Sequence, residues 1–197
     1  MPDSSNMTGP DHTSSALTLC CWLSSALVCD FATMLCLVRS PVISQMSSKR
    51  SGGGAVKHRR PLTKTMLLPM DQATVREQSL TYHLALATCR DGHGNGYLLN
   101  ELMRAVYVAW FLQQSGYGNE PVEQYKTAEY AVEEALARAH ESKEWILTED
   151  AIPAFERLLA LHDSQLAITP LHKVIEAERR LRHFLEGTAS SPIPETH

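Results

Sequence analysis

The stretch Tyr97–Ser115, YLLNELMRAVYVAWFLQQS, decides how the rest of the chain is read. Leu98, Leu99, Leu102, Met103, Val106, Tyr107, Val108, Trp110 and Phe111 recur too densely for a helix with one wet side. A helix apolar on more than one face must sit among others, so the spacing predicts a central, most buried helix. It ends at Ser115-Gly116-Tyr117-Gly118, a breaker signal.

Upstream, Asp71 is placed to cap a helix running to about Arg90, with Val75, Leu80, Leu84, Leu86 and Ala87 as its apolar face and Asp91-Gly92 as its stop. Downstream, Asn119 is expected to cap a third helix with Pro121 in its first turn. Val122, Tyr125, Ala128, Val132, Ala135, Leu136 and Ala139 mark its inner side, and Glu134 and Arg138 pair on its wet side. A fourth helix begins near Asp150, because a cap at Thr148 would push Pro153 beyond the first turn. Ile152, Phe155, Leu158, Leu159, His162 and Leu166 line it. Thr169-Pro170 opens a fifth, with Leu171, Val174, Ile175, Leu181 and Leu185 inside and Gly187 as the stop. No run alternates with period two. The expectation is an all-α bundle of about five helices over residues 66–187, followed by a polar tail over 188–197.

Residues 1–65 have a different character. They contain no Glu and only three Asp against seven Lys and Arg, a net +4, which leaves −8 of the chain's −4 total to residues 66–197. Four of the five cysteines lie there (Cys20, Cys21, Cys29, Cys36), as do 11 serines against 6 in the remainder. This disordered or hydrophobic leader reads as sequence never shaped by folding, with Met66 or a neighbouring Met the expected true start, and a translated disordered or buried segment as a further alternative. A second reading makes residues 16–38 a membrane anchor, since 23 mostly apolar residues at about 1.5 Å each could cross roughly 30 Å of hydrocarbon. Residues 49–64 then form a basic linker, and the positive-inside rule faces the helical part to the cytoplasm. Asp30 counts against the anchor. With Met66 as the start the protein is expected in the cytoplasm. Inner-membrane attachment is the alternative, and a membrane partner only if residues 16–38 are translated.

Candidate chemistry is sparse. Asp91–Leu102 (DGHGNGYLLNEL) imitates an EF-hand at Asp91, Asn95, Gly96 and Leu98, but His93 takes a ligand position and Leu102 stands where a bidentate Glu is needed. It reads instead as an interhelical turn whose glycines supply positive φ. His83, His140, His162, His172 and His183 form no H-x-x-x-H pair and are expected at or near the surface, so neither a metal site nor a cofactor is predicted. Cys89 reads as a small buried hydrophobe. No catalytic residue can be named, and no enzyme activity is expected.

Nucleic-acid contact has one candidate set, Lys173, Arg179, Arg180 and Arg182 on the last helix. Glu176, Glu178 and Glu186 nearly balance them, with Glu176–Arg180 and Glu178–Arg182 at compensating i,i+4 spacing. A net −8 on the helical part also opposes approach to a phosphate backbone.

The segments 68–95, 97–118 (YLLNELMRAVYVAWFLQQSGYG) and 145–166 (WILTEDAIPAFERLLALHDSQL) resemble a group of short bacterial helical proteins, some labelled Fis-family transcriptional regulators. The likeness covers most of residues 66–172. It implies a helical fold, a bacterial source and, through the label, a DNA-associated role. True Fis proteins end in a helix-turn-helix with a basic second helix, whereas this chain shows no clear short turn there and its last helix is charge-balanced. The favoured expectation is therefore an accessory or regulatory protein acting through an unknown protein partner or self-association, with a DNA-associated regulator as the alternative.

Overall fold

The computed structural model describes residues 61–195, and these form an all-α bundle of five helices with no strand among them. The helices are α1 (Gln72–Arg90), α2 (Gly96–Gln113), α3 (Val122–Ser142), α4 (Ile152–Ile168) and α5 (Leu171–Leu185). Short 3-10 turns at Lys64–Leu67 and Glu149–Ala151 precede α1 and α4. The leader readings, meaning the anchor over 16–38, most of the basic linker over 49–64 and the four early cysteines, lie outside the described residues.

Helix α2 is the axis. Every residue from Leu99 to Leu112 is buried, and α2 packs against each of the other four helices. Burial of each large aliphatic side chain contributes about 1.5–3 kcal/mol, so this one helix organises most of the apolar core. Around it, α1 also packs on α4, and α4 on α3. The start of α5 is tied back to the segment before α1. Leu171 N donates to Leu68 O at 2.8 Å, Pro69 and Pro170 form an isolated antiparallel bridge, and His172 Nδ1 lies 2.9 Å from Met66 O.

Two helix starts carry side-chain caps, Asp71 as the sequence predicts and Asn95, for which the sequence reading assigns no cap. The Asp71 carboxylate accepts from Thr74 N at 3.0 Å and from Thr74 Oγ1 at 2.6 Å, and the Asn95 side chain accepts from Leu98 N at 2.9 Å. Each satisfies an amide that the helix itself cannot. Two others differ. Asn119 does not cap α3, whose flanking residue is Pro121, and Thr169 does not cap α5, which begins after Pro170. In both cases proline holds the extended entry at φ near −60° and no side-chain cap forms. Thr169 is instead fully buried.

The inner face of α1 is corrected by the structure. Leu80 and Leu84 are 58% and 55% exposed, and Tyr82, Ala85, Leu86 and Cys89 are the buried set. Tyr82, Ala85 and Cys89 keep the 3–4 residue step that faces α2 and α4, while Leu80 and Leu84 step along a different side. Residues after Gly187 also do more than trail away. Ile193 is 3% exposed and belongs to the main core, and Trp110 Nε1 donates to Pro192 O at 3.1 Å.

The turn between α1 and α2 explains its own glycines. Gly92 has φ +79°, as a positive-φ role requires. Gly94 and Gly96 are needed for a different reason. A Cβ on Gly94 would collide with the Trp145 carbonyl oxygen, and one on Gly96 would meet the Trp145 ring at 3.0 Å. The turn is thus pressed under Trp145. Glu101, which stands one position before the required calcium ligand, is buried within α2 rather than turned to the loop.

Candidate functional site

Charged residues inside α2 mark the first unusual place. Glu101 and Arg104 are 3% and 8% exposed in a helix otherwise almost wholly apolar. Arg104 reaches across to α5, donating from a terminal guanidinium nitrogen to Glu178 Oε1 at 2.7 Å, and its other terminal nitrogen lies 3.8 Å from Glu101 Oε2. Two carboxylates therefore share one buried guanidinium. Burial raises the Glu101 carboxyl above the usual carboxylate range, Arg104 opposes that and the Glu178 charge adds to it.

Beside this triad, Tyr82 of α1 accepts from Gln78 Nε2 at 3.2 Å, and its ring centre stands 5.5 Å from that of His162 on α4. Burial pushes the Tyr82 hydroxyl up to about 12. His162 is fully buried, and burial pushes its imidazole down to about 4, so it is neutral at physiological pH. The side chain of Gln165, one turn on, donates from Nε2 to Ala109 O at 3.1 Å and Tyr117 O at 2.6 Å, fastening the turn after α2 to α4. Four helices thus contribute to one buried polar interior, in which Asn100 Oδ1, Glu101 Oε1 and His162 Nε2 have no hydrogen-bond partner among the described residues.

A second polar cluster joins α2, α3 and the C-terminal segment. Tyr107 donates to Glu129 Oε1 at 2.7 Å, and Glu129 Oε2 takes Lys126 Nζ at 3.0 Å, with all three residues buried. Lys126 Nζ also reaches Glu195 Oε1 at 3.1 Å and Ser191 Oγ at 3.3 Å. Burial disfavours the Lys126 charge, but the hydrogen bonds it donates to Glu129 and Glu195 outweigh that and leave the ammonium favoured.

The residues singled out for nucleic acid all lie on α5, and Lys173, Arg179 and Arg180 act together on the Glu176 carboxyl, holding it below the usual carboxylate range. Lys173 Nζ is 3.0 Å from Glu176 Oε2 rather than pointing outward alone, and Arg180 stacks on Phe111 with its guanidinium carbon 4.5 Å from the ring centre. Arg179 and Arg182 are exposed, one turn apart. The expected Glu178–Arg182 compensation is replaced by the buried Arg104–Glu178 bond, and Glu176 pairs with Lys173 rather than Arg180. The Glu134–Arg138 pair forms as expected, at 2.6 Å.

The histidines scatter. His83 is exposed and lies 2.9 Å from Asp163, His140 and His183 are exposed, His172 is half-buried, and His162, on the inner side of its helix as the apolar spacing placed it, is buried completely rather than in half. Among the described residues no group of three or more His, Cys, Asp or Glu is arranged to hold a metal ion. Cys89 is buried, as its neighbours in sequence suggest, and burial pushes its thiol up to about 11, far from thiolate reactivity. No helix among the described residues is long and apolar enough to cross a membrane.

The outer side of α1 is the third unusual place. From Gln78 to Cys89 the helix carries no Asp, Glu, Lys or Arg, although much of it faces water. Leu80 and Leu84 stand one turn apart there, with Thr81 and Thr88 exposed or half-exposed beside them. Thr81 Oγ1 donates to Glu77 O at 3.0 Å and Thr88 Oγ1 to Leu84 O at 2.7 Å, so both hydroxyls are spent on the backbone.

Comparison with protein-family models, with curated proteins and with solved structures returned no match.

Sequence reasoning placed α2 at the centre but left Asn100, Glu101 and Arg104 unexplained. A signal was present: charges three apart within an apolar helix that has no wet side must find partners inside. Which partner they find depends on α5, 74 residues away.

Proposed function

We propose that this is a helical accessory or regulatory protein that works by protein contact, with the outer face of α1 as its docking surface. The exposure of Leu80 and Leu84 within the charge-free run from Gln78 to Cys89 carries this reading. A helix face kept in water ordinarily carries charge. Single exposed leucines are common, but two at helical spacing, flanked by threonines whose hydroxyls are already used, form a surface suited to the apolar face of a partner helix. The polar interior supports the same reading: a tightly fixed scaffold holds the α1 face in one shape. No reaction is assigned to it.

The test is site-specific photo-crosslinking in the native host, with a photoreactive side chain at position 84 and, as control, at the exposed Glu156. A discrete protein adduct at 84 but not at 156, lost when Leu80 is changed to Glu, supports the proposal. Equal or absent adducts at the two positions overturn it.

The DNA-associated alternative, with the bacterial regulator label behind it, rests on Arg179 and Arg182, since Lys173 is paired with Glu176 along the surface of α5 and Arg180 is stacked on Phe111. Two exposed arginines against an acidic surface supply little counterion release. A membrane-anchored role depends on residues 16–38, which lie outside the described residues.

A further inference from the structure

The outer side of α1 is built on a regular seam. Ala73, Glu77, Leu80, Leu84, Ala87 and Asp91 follow one another at alternating steps of four and three residues, the spacing with which one helix lies along another. At about 100° of turn per residue, the seam runs along the side of the helix directly away from Tyr82, Ala85, Leu86 and Cys89, which face the bundle. Leu80 and Leu84, more than half exposed, form its middle, Ala73, Glu77 and Asp91 are exposed, and Ala87 is half-buried. Formal charge is confined to the two ends, with Arg76 and Glu77 before the charge-free run and Arg90 and Asp91 after it. Arg90 and Asp91 meet each other at 3.4 Å with both side chains more than half exposed, and Arg76 is exposed like Glu77.

We infer that the occupant of this seam is the same seam of a second copy of the chain, laid antiparallel to it in a two-fold dimer. The inference rests on the reading of the α1 face as a docking surface and names its partner. The order of residues is self-complementary. With the two-fold axis beside Tyr82, Leu80 of each copy meets Leu84 of the other, Glu77 meets Ala87, and Ala73 meets Asp91. Four leucines therefore close over one another at the centre, where water is excluded most fully, and each charged seam residue has a small residue across from it. The ends match by charge as well. Antiparallel alignment brings Arg76 and Glu77 of one copy beside Asp91 and Arg90 of the other, so that two cations meet two anions. It also sets the Asp91 carboxylate near the positive N-terminal turn of α1, whose residues beyond the Asp71 cap include no acid. A parallel pairing would put like against like at both ends, Arg76 by Arg76 and Asp91 by Asp91. Contact of one helix with one helix is smaller than a standard stable interface, so the dimer exchanges with monomer at a micromolar rather than a nanomolar dissociation constant.

The experiment is sedimentation velocity of the full chain at low ionic strength, over protein concentrations from about 1 µM to about 500 µM. The expected result is a reversible shift from monomer to dimer within that range. Leu84→Glu, a change at a side chain already in water that leaves the helical circular dichroism intact, should weaken the dimer at least about tenfold. Glu77→Arg together with Arg90→Glu sorts both cations to one end of α1 and both anions to the other. That variant should dimerise at least about threefold more tightly than the unaltered chain, because antiparallel alignment then pairs opposite charges only. A chain that stays monomeric throughout, a dimer indifferent to Leu84→Glu, or one not tightened by the charge sorting overturns the inference. Failure of the dimer is separate from failure of the docking surface: a monomeric chain that still gives an adduct with another protein at position 84 in the host keeps the surface and loses the second copy, whereas loss of the adduct removes both.

Discussion

Arg104 on α2 and Glu178 on α5 meet at 2.7 Å beneath the surface, with Glu101 sharing the same guanidinium, so the last helix is locked to the central one by charge as well as by Val174, Ala177 and Leu181. A charge buried in this way is expensive only when it is alone.

Arg104→Met leaves two neighbouring carboxylates buried without their cation. It is expected to lower stability by about 3–5 kcal/mol, read as a drop in the urea midpoint. Adding Glu101→Gln and Glu178→Leu should restore a substantial part of that loss, because the cost lies in the uncompensated charge. If the triple variant is no more stable than Arg104→Met, the triad is not an electrostatic unit.

Acid sensitivity is expected to centre on His162. Its folded imidazole is held down at about 4 against an ordinary 6.5, so the unfolded chain takes up the proton first. Stability is therefore complete above pH 6.5 and is lost as pH falls through 6.5 to 4, by about 3 kcal/mol in total. Tyr82 from α1, Arg104 from α2 and Asp163 on α4 itself are the groups that face or influence the ring. Glu101, raised by burial, works in the opposite direction but is present in both proteins compared. Chemical denaturation at several pH values should show a distinctly flatter profile for His162→Leu; parallel profiles would exclude His162 as the titrating group.

The two glycine-bearing turns separate crowding from backbone strain. Gly94→Ala drives a methyl group into the Trp145 carbonyl, where backbone must move, and should cost about 1–3 kcal/mol. At Gly116 an added Cβ meets nothing within 4 Å, and only φ +94° opposes it, for about 1–2 kcal/mol. Near-ultraviolet circular dichroism distinguishes them further. The Trp145 signal should change in Gly94→Ala and stay the same in Gly116→Ala.

Nucleic-acid affinity should be weak. With Lys173 paired to Glu176 along the surface of α5 and Arg180 stacked on Phe111, a gel-shift titration at low ionic strength is expected to show no discrete complex, and Arg179→Ala with Arg182→Ala should change nothing. A salt-sensitive complex abolished by those two changes would establish the DNA-associated reading instead.

Much of the bundle was determined by the sequence alone, because its causes are local. Apolar spacing placed five helices, Asp71 stands before a helix that needs an acceptor, and the density of Tyr97–Ser115 put α2 at the centre. The candidate sites were far less legible. Leu80 and Leu84 look like core residues in a periodic pattern, and only the packing of Tyr82, Ala85 and Cys89 turns them outward. The pairing of Arg104 with Glu178, the burial of His162 and the return of Ile193 to the core were decided by tertiary structure. The physical reason is range. Helix propensity and capping act within a few residues, whereas a buried charge, a desolvated imidazole and a docked tail depend on neighbours 50–80 residues away, whose positions exist only after the chain has folded.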